Sequence, residues 1–316
     1  MYKKMKRSSL ATRPDPESVV FVVPGIGISY MKSVNALLAN PVFKKNCLRA
    51  GIFDYQDLTQ PALDDYSLSL QDTLHNQKLS YVVNCTMSDL YNEGGIFPDL
   101  IIGYSMGIYA ALYAGGYYSF DTGLSIVETA YRLVEKRCSD GTTQYGMGII
   151  LGLKENELRS LLFSETGNRV DIAVRNGMRS FVIAGEKAGV EFCLRNAPAL
   201  GAFGARPILT GHPYHFRVLK DIAEEFSNFL ASLHYTSHHA DVLSLVDGRI
   251  IAKNGISRSI VKAMYQPLSF DRVVHHVARD YPVGEWYETG PEKSMSKLLK
   301  YINRKTKISH YSEESG

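Results

Sequence analysis

Residues 100–116, LIIGYSMGIYAALYAGG, constrain the fold more than any other stretch of the chain. Leu100, Ile101 and Ile102 form a short apolar run that enters a Gly-Tyr-Ser-Met-Gly turn, and an alanine-rich helical stretch follows at once. A short continuous apolar run ended by a turn reads as a strand of a parallel sheet buried on both faces. Glycines two before and two after a serine suit a nucleophile elbow, where strand and helix pass too close for side chains. The serine hydroxyl then stands at the N-terminus of the helix, where N–H groups and the helix dipole favour a developing oxyanion. Ser105 is therefore the candidate nucleophile. GxSxG recurs by chance, and its place between an apolar strand and a helix gives it weight here.

The rest of the chain reads as α/β. VVFVVPG at 19–25 is a second buried strand, with a GIGIS loop and a helical segment near Met31–Leu38 after it. A longer helical pattern covers 65–92 and ends at Asn92–Gly95. Near residue 145 the texture changes to strand, helix, strand, strand, helix, strand: GMGIILGL, KENELRSLLFSE, VDIAVRN, SFVIAGE, KAGVEFCLRNAPALG and ARPILTG. That order is a ferredoxin-like split βαβ unit. The segment GRI (248–250), a tight turn at Asp247-Gly248, helices around Ser257–Met264 and from Asp271, and EWYETGP (285–291) complete the larger unit. The organisation expected is a flexible arm at 1–17, a large domain over 18–143 and 210–307, a small subdomain over 144–209, and a frayed tail at 308–316.

The chain of 316 residues has room for one such domain with an insert. A net charge of +3 gives no argument for nucleic acid. The basic run at Lys3, Lys4, Lys6 and Arg7 is followed by the polar SLATRPDPES, so no secretory signal is expected. No apolar run approaches 18 residues, which argues against a membrane span. Cys47, Cys85, Cys138 and Cys193 are far apart and form no CxxC pair. Buried free thiols are expected, with no metal site and a reducing, cytoplasmic setting.

A serine nucleophile needs a base. HPYH at 212–215 directly follows the last strand of the small unit, where a hinge can return an imidazole over the elbow. His212, His215 and the His275-His276 pair all remain candidates, because spacing cannot select among residues so distant in sequence.

Taken together and in order, the motifs resemble those of the malonyl-CoA:acyl-carrier-protein transacylase family, which includes the acyltransferase domains of polyketide synthases. The resemblance runs from about Val19 to Lys305. FVVPGIG at 21–27 resembles the family's PGQG loop, and GYSMGIYAALYAGG its GHSxGE segment. GMGIILGL and SFVIAGEKAGVE resemble its small subdomain, and TGHPYH at 210–215 the segment ending in the catalytic histidine. MYQPLSF at 264–270 resembles its NPVRW region, and YETGPEKSMSKLLK at 287–300 its C-terminal glycine-proline motif.

The resemblance implies an α/β-hydrolase-like large domain with a mostly parallel sheet and an inserted ferredoxin-like subdomain. It implies an acyl-enzyme on Ser105 with His215 as base, and an oxyanion hole from the backbone N–H groups of Met106 and Ile26. It also implies a histidine oriented by a backbone carbonyl, that of Gln266, with no third acidic residue. The acyl group would move between thiols of coenzyme A and acyl carrier proteins, which are substrates, with no bound cofactor. The family is mostly monomeric. The expected pocket comprises Gln77, Tyr104, Ala130, His212, Tyr214 and Asn176. Exposed cations Arg206, Arg217, Lys220, Lys297 and Lys300 would meet an acidic carrier.

Several positions depart from the family. Malonyl-transferring members place an arginine in the helix after the elbow, and aligning LSIVETAYRLVE (124–135) puts Ala130 there. Alanine cannot make a bidentate carboxylate clamp, and Arg132 points to another face of a helix. Ile26 replaces the PGQG glutamine, Tyr104 the histidine before the nucleophile, and Ile108 the glutamate after the elbow. Gln77 has the spacing of the family's pocket glutamine, whereas Thr59-Gln60-Pro61 lies too far from Ser105. A non-malonyl acyltransferase is expected, with a trans-acting acyl hydrolase as the alternative. A non-catalytic binding module and a simple esterase fit less well.

Overall fold

The computed structural model describes residues 17–26, 37–53, 72–290, 293–304 and 306–310. In chain order the described strands are β1 (Ser18–Val23), β2 (Leu100–Gly103), β3 (Tyr145–Leu151), β4 (Val170–Gly177), β5 (Ser180–Glu186), β6 (Gly204–Ile208), β7 (Asp241–Leu243), β8 (Leu268–Ser269), β9 (Val283–Glu288) and β10 (Ile308–His310). The described α-helices are α1 (Pro41–Arg49), α2 (Leu74–Glu93), α3 (Gly107–Ala114), α4 (Phe120–Ser139), α5 (Glu155–Thr166), α6 (Lys187–Asn196), α7 (Ala223–Ala231), α8 (Ile256–Tyr265), α9 (Phe270–Asp280) and α10 (Ser294–Ile302).

The first sheet is parallel, in the order β10-β9-β1-β2-β7. Its central strand β1 pairs with β2 in the register Val20↔Leu100 to Val23↔Gly103. Successive strand residues point to opposite faces, and here they enter two different cores. Phe21, Val23 and Ile101 join α2, α3 and α4 on one face. Val20, Val22, Leu100 and Ile102 join α9, α10 and part of the second sheet on the other. Both faces are covered, so the strands read as unbroken apolar runs rather than alternating ones.

The second sheet has the order β6-β3-β5-β4-β8. Strands β3 to β6 pair antiparallel in the split βαβ arrangement, with α5 and α6 on one face over Ile150, Leu158, Phe181, Ile183 and Cys193. The fifth strand, β8, comes from the larger unit and pairs parallel with β4 through Val174↔Leu268. Beside it, the Arg175 guanidinium holds the buried Asp271 carboxylate at 2.8 Å and Glu155 at 2.6 Å. The two sheets are therefore joined next to the segment that leads into α9.

Some sequence expectations are corrected. Residues 308–310 are not tail: they form β10, paired with β9 through Ile308↔Trp286. The GRI segment makes only one bridge, Ile250 to Leu243, while β7 just before it enters the sheet. The expected turn is present, with Gly248 at φ +73° and its N–H donating to Ser244 O. Helix α2 begins at Leu74 behind the N-cap Thr73; the 65–71 part of that expectation lies outside the described residues. So do most of the helix at 31–38, the Gly27 end of the PGIG loop, Thr59-Gln60-Pro61, Pro291 and nearly all of the arm. Helices α1 and α7 were not anticipated, although Asn40 capping α1 ahead of Pro41 is a legible start signal. Among the described residues no helix is long and apolar enough to cross a membrane.

Candidate active site

Strand β2 ends at Gly103, and Ser105 follows at φ +52°, in the left-handed region that a non-glycine residue occupies at a cost of about 1–3 kcal/mol. The flanking glycines make the turn possible. A Cβ on Gly103 would stand 2.5 Å from Ile108 Cα, and one on Gly107 would stand 2.4 Å from Val23 O and 2.6 Å from Pro24 O. Gly25 packs from the other side, where a Cβ would meet Tyr104 O at 2.9 Å. Helix α3 starts at Gly107 with Met106 as its N-cap, so Ser105 lies where the helix leaves amides unbonded. Among the described residues, neither the Met106 nor the Ile26 N–H donates to a backbone oxygen.

His215 comes to the same place from the hinge after β6. Its φ is +62°, so both members of the pair hold left-handed backbone. Its Nε2 lies 2.9 Å from Ser105 Oγ, its Nδ1 lies 2.5 Å from Ala263 O, and its backbone N–H donates to Met264 O at 2.8 Å. A carbonyl can only accept, so Nδ1 carries the hydrogen and Nε2 is bare, ready to accept the serine proton. Burial pushes the His215 pKa down to about 4, against the opposing hydrogen bond to Ala263. The imidazole is neutral at pH 7, as a general base requires.

The orienting carbonyl is that of Ala263, not Gln266. In an α-helix each carbonyl bonds the N–H four residues on. For Ala263 that residue is Pro267, which has no N–H. The carbonyl is left over at the end of α8 and takes the histidine. Gln266 is the C-cap, with extended backbone (φ −109°, ψ 149°), and has already left the helix turn.

Two cavities flank the pair. The outer one, about 140 Å³, has Ser105, His215, Tyr104 and Tyr214 on one side and Met147, Val174 and Val182 of the second sheet on the other. The inner one, about 50 Å³, is lined by Ser105 and His215 together with Gln77, Tyr109, Tyr131 and Ala130. Of the expected pocket residues, Gln77, Tyr104, Ala130 and Tyr214 line a cavity. His212 and Asn176 line neither and act behind it. The Tyr104 hydroxyl donates to Asn176 Oδ1 at 2.8 Å, tying the elbow to β4. His212 Nδ1 meets Asp72 Oδ2 at 2.7 Å. Gln77 Nε2 donates to Tyr214 OH and to Asp72 Oδ1, each at 2.7 Å. His275 and His276 lie on α9, lining neither cavity. Among the described residues no three His, Cys, Asp or Glu side chains group to hold a metal ion.

No protein-family model matches the chain. The malonyl CoA-acyl carrier protein transacylase of Bacillus subtilis (strain 168) is 26% identical over 299 residues, covering 92% of this chain and 92% of its own. The polyketide biosynthesis malonyl CoA-acyl carrier protein transacylase BaeC of Bacillus velezensis is 27% identical over 288 residues, covering 84% and 95%. The chain is thus similar to malonyl CoA-acyl carrier protein transacylases over most of its length. The fold agrees: a solved malonyl-transacylase, in complex with a type II PKS acyl-carrier protein, matches with TM-score 0.83 and 24% identity over 95% of this chain and 97% of that one.

Of the positions that depart from the pattern of those transacylases, three meet at the inner cavity, while Tyr104 lines the outer one. Ile26, Ile108 and Ala130 all face the inner cavity, and Arg132 is exposed on another face of α4. Arg206, Arg217, Lys220, Lys297 and Lys300 are all exposed. Arg206 stands on β6, close in sequence to Ile208 and Leu209 at the outer cavity. Arg217 lies over the Phe216 ring at 4.6 Å. Lys297 and Lys300 lie on α10, which contributes to neither cavity. Sequence reasoning missed Ala263, Asp72, Tyr109, Tyr131 and the second-sheet valines. Only Ala263 left a readable sign, the proline four residues on.

Proposed function

We propose that the chain is an acyltransferase that carries an acyl group through an ester on Ser105, onto or between acyl carrier proteins, in polyketide or related secondary metabolism. The observation that carries this reading is the 2.9 Å approach of Ser105 Oγ to the bare Nε2 of a buried, neutral His215. Ser105 Oγ attacks the thioester carbonyl as its proton passes to Nε2. The Met106 and Ile26 N–H groups face the oxyanion. Nε2–H then protonates the departing thiol sulfur, leaving acyl-Ser105, and a second thiol reverses the steps to collect the acyl group. Ala263 O holds the imidazole in its tautomer and steadies the imidazolium, the part an acidic residue plays in a triad.

The acyl group in this proposal is not malonyl. Ala130 is 4% exposed and lines the inner cavity, at the position where a malonyl-binding arginine would be expected. A carboxylate there would be buried without a partner, at a cost of several kcal/mol.

A two-carrier exchange read by intact-protein mass spectrometry tests the proposal. One carrier is loaded with a monocarboxylic acyl group, the other presents a free thiol, and wild type is compared with Ser105→Ala. The acyl mass is expected on the second carrier only when Ser105 is present. Loss from the first carrier with no gain on the second would mean that water resolves the ester and the chain is a hydrolase. Malonyl transferred in preference to a monocarboxylic group would refute the specificity.

A further inference from the structure

The outer cavity combines an apolar wall with one carboxylate. Asp72, just before the N-cap of α2, lines it together with Ser105 and His215, and its side chain is 3% exposed. Four donors of the chain surround the carboxylate. Thr210 Oγ1 (2.6 Å) and His212 Nδ1 (2.7 Å) reach Oδ2, while Gln77 Nε2 (2.7 Å) and, more distantly, Tyr214 OH (3.4 Å) reach Oδ1. Burial acts to raise the Asp72 pKa, but the hydrogen bonds from His212, Thr210 and Gln77 outweigh it and hold the carboxyl below the ordinary range. Its acceptor sites are taken, so it needs no cation from a ligand. No lysine or arginine is among the described residues lining either cavity.

Building on the acyl-Ser105 reading, we propose that Asp72 is a specificity-determining residue whose fixed negative charge excludes acyl groups bearing a second carboxylate. The substrates are then thioesters of acids without one. A neutral acyl chain meets Met147, Val174, Val182, Ile208 and Leu209, whereas a dicarboxylic one brings a like charge into a site poorly screened by water. This is independent of Ala130: the alanine removes an attraction, and Asp72 adds a repulsion.

The test uses two alkyl fluorophosphonates of equal length, one ending in a carboxamide and one in a carboxylate. In each, the Ser105 Oγ–P bond forms, the P–F bond breaks, fluoride leaves, and His215 takes the proton. Both probes and all variants are compared at one pH, so that the rate ratio reads the substitution alone. Charges about 10 Å apart at an effective dielectric of about 20 predict that wild type reacts about fifteenfold faster with the carboxamide. In Asp72→Asn the rate ratio of the two probes should fall to within about threefold of one. Gln77 can accommodate that isostere by turning its amide over. Asp72→Ser should shift the ratio the same way if the asparagine variant does not fold. Equal rates in wild type overturn the proposal without any variant, and so does a ratio unchanged by either substitution. Failure of both probes to label wild type would instead refute Ser105 as nucleophile, and the proposal with it. Transfer between carriers plays no part in the measurement.

Discussion

The buried His215 makes a sharp prediction about pH. A solvent-exposed imidazole with a pKa of about 6.5 is about 10% neutral at pH 5.5; one with a pKa of about 4 is about 97% neutral. That displacement is worth about 3 kcal/mol in favour of the neutral form. Only neutral His215 can accept the serine proton, so the rate follows the neutral fraction and is lost as pH falls through the folded-state pKa. Labelling of Ser105 by an uncharged fluorophosphonate should therefore be nearly as fast at pH 5.5 as at pH 7.5, with its acid limb near pH 4. An ordinary histidine would lose about tenfold over the same interval. The unfolded chain binds a proton at this residue below about pH 6.5 and the native chain does not, so stability should decline from there towards pH 4. Circular dichroism at each pH separates that decline from the chemistry. A limb centred near pH 6.5 in folded protein would refute the reasoning: either the imidazole is not desolvated or His215 is not the base.

Three further outcomes follow from named contacts. Gly107→Ala should cost about 3 kcal/mol or more in urea denaturation, because its Cβ would meet the backbone oxygens of Val23 and Pro24 rather than a yielding side chain. Arg175→Ala should cost about 3 kcal/mol by the same measurement, since Asp271, 2% exposed, loses its guanidinium partner. Tyr104→Phe should cost about 1–2 kcal/mol, because the buried Asn176 Oδ1 loses the donor it has at 2.8 Å; an unchanged melting curve would show that water replaces it.

The local part of the site was legible in the sequence. Strand, elbow and helix over 100–116 are set by neighbours within a few residues, and the glycines of GYSMG announce how closely backbones pass there. The split βαβ unit was legible for the same reason, as each of its elements carries its own period and turn. Strands β7 and β10 were not. DVL is too short to show a pattern and ISH too polar, and both become strands only because an edge of the parallel sheet is waiting for them.

Distance in the chain hid the rest. His215 is 110 residues from Ser105, and nothing in HPYH distinguishes its two imidazoles. Folding assigns one to Ser105 and the other to Asp72. Pro267 makes the Ala263 carbonyl available by a local rule, but only the crossing of the 210–215 hinge over the end of α8 brings it a histidine. Asp72 lies in a polar stretch with no periodicity, and only the packing of α2 against that hinge turns it into a charge beside the nucleophile. The sequence alone thus determined the candidate nucleophile and the backbone that presents it, because steric limits on φ and ψ act between adjacent residues. The base's tautomer, its depressed pKa and the charge of the pocket were decided by tertiary structure, because desolvation and hydrogen bonding depend on what the whole chain packs around a group.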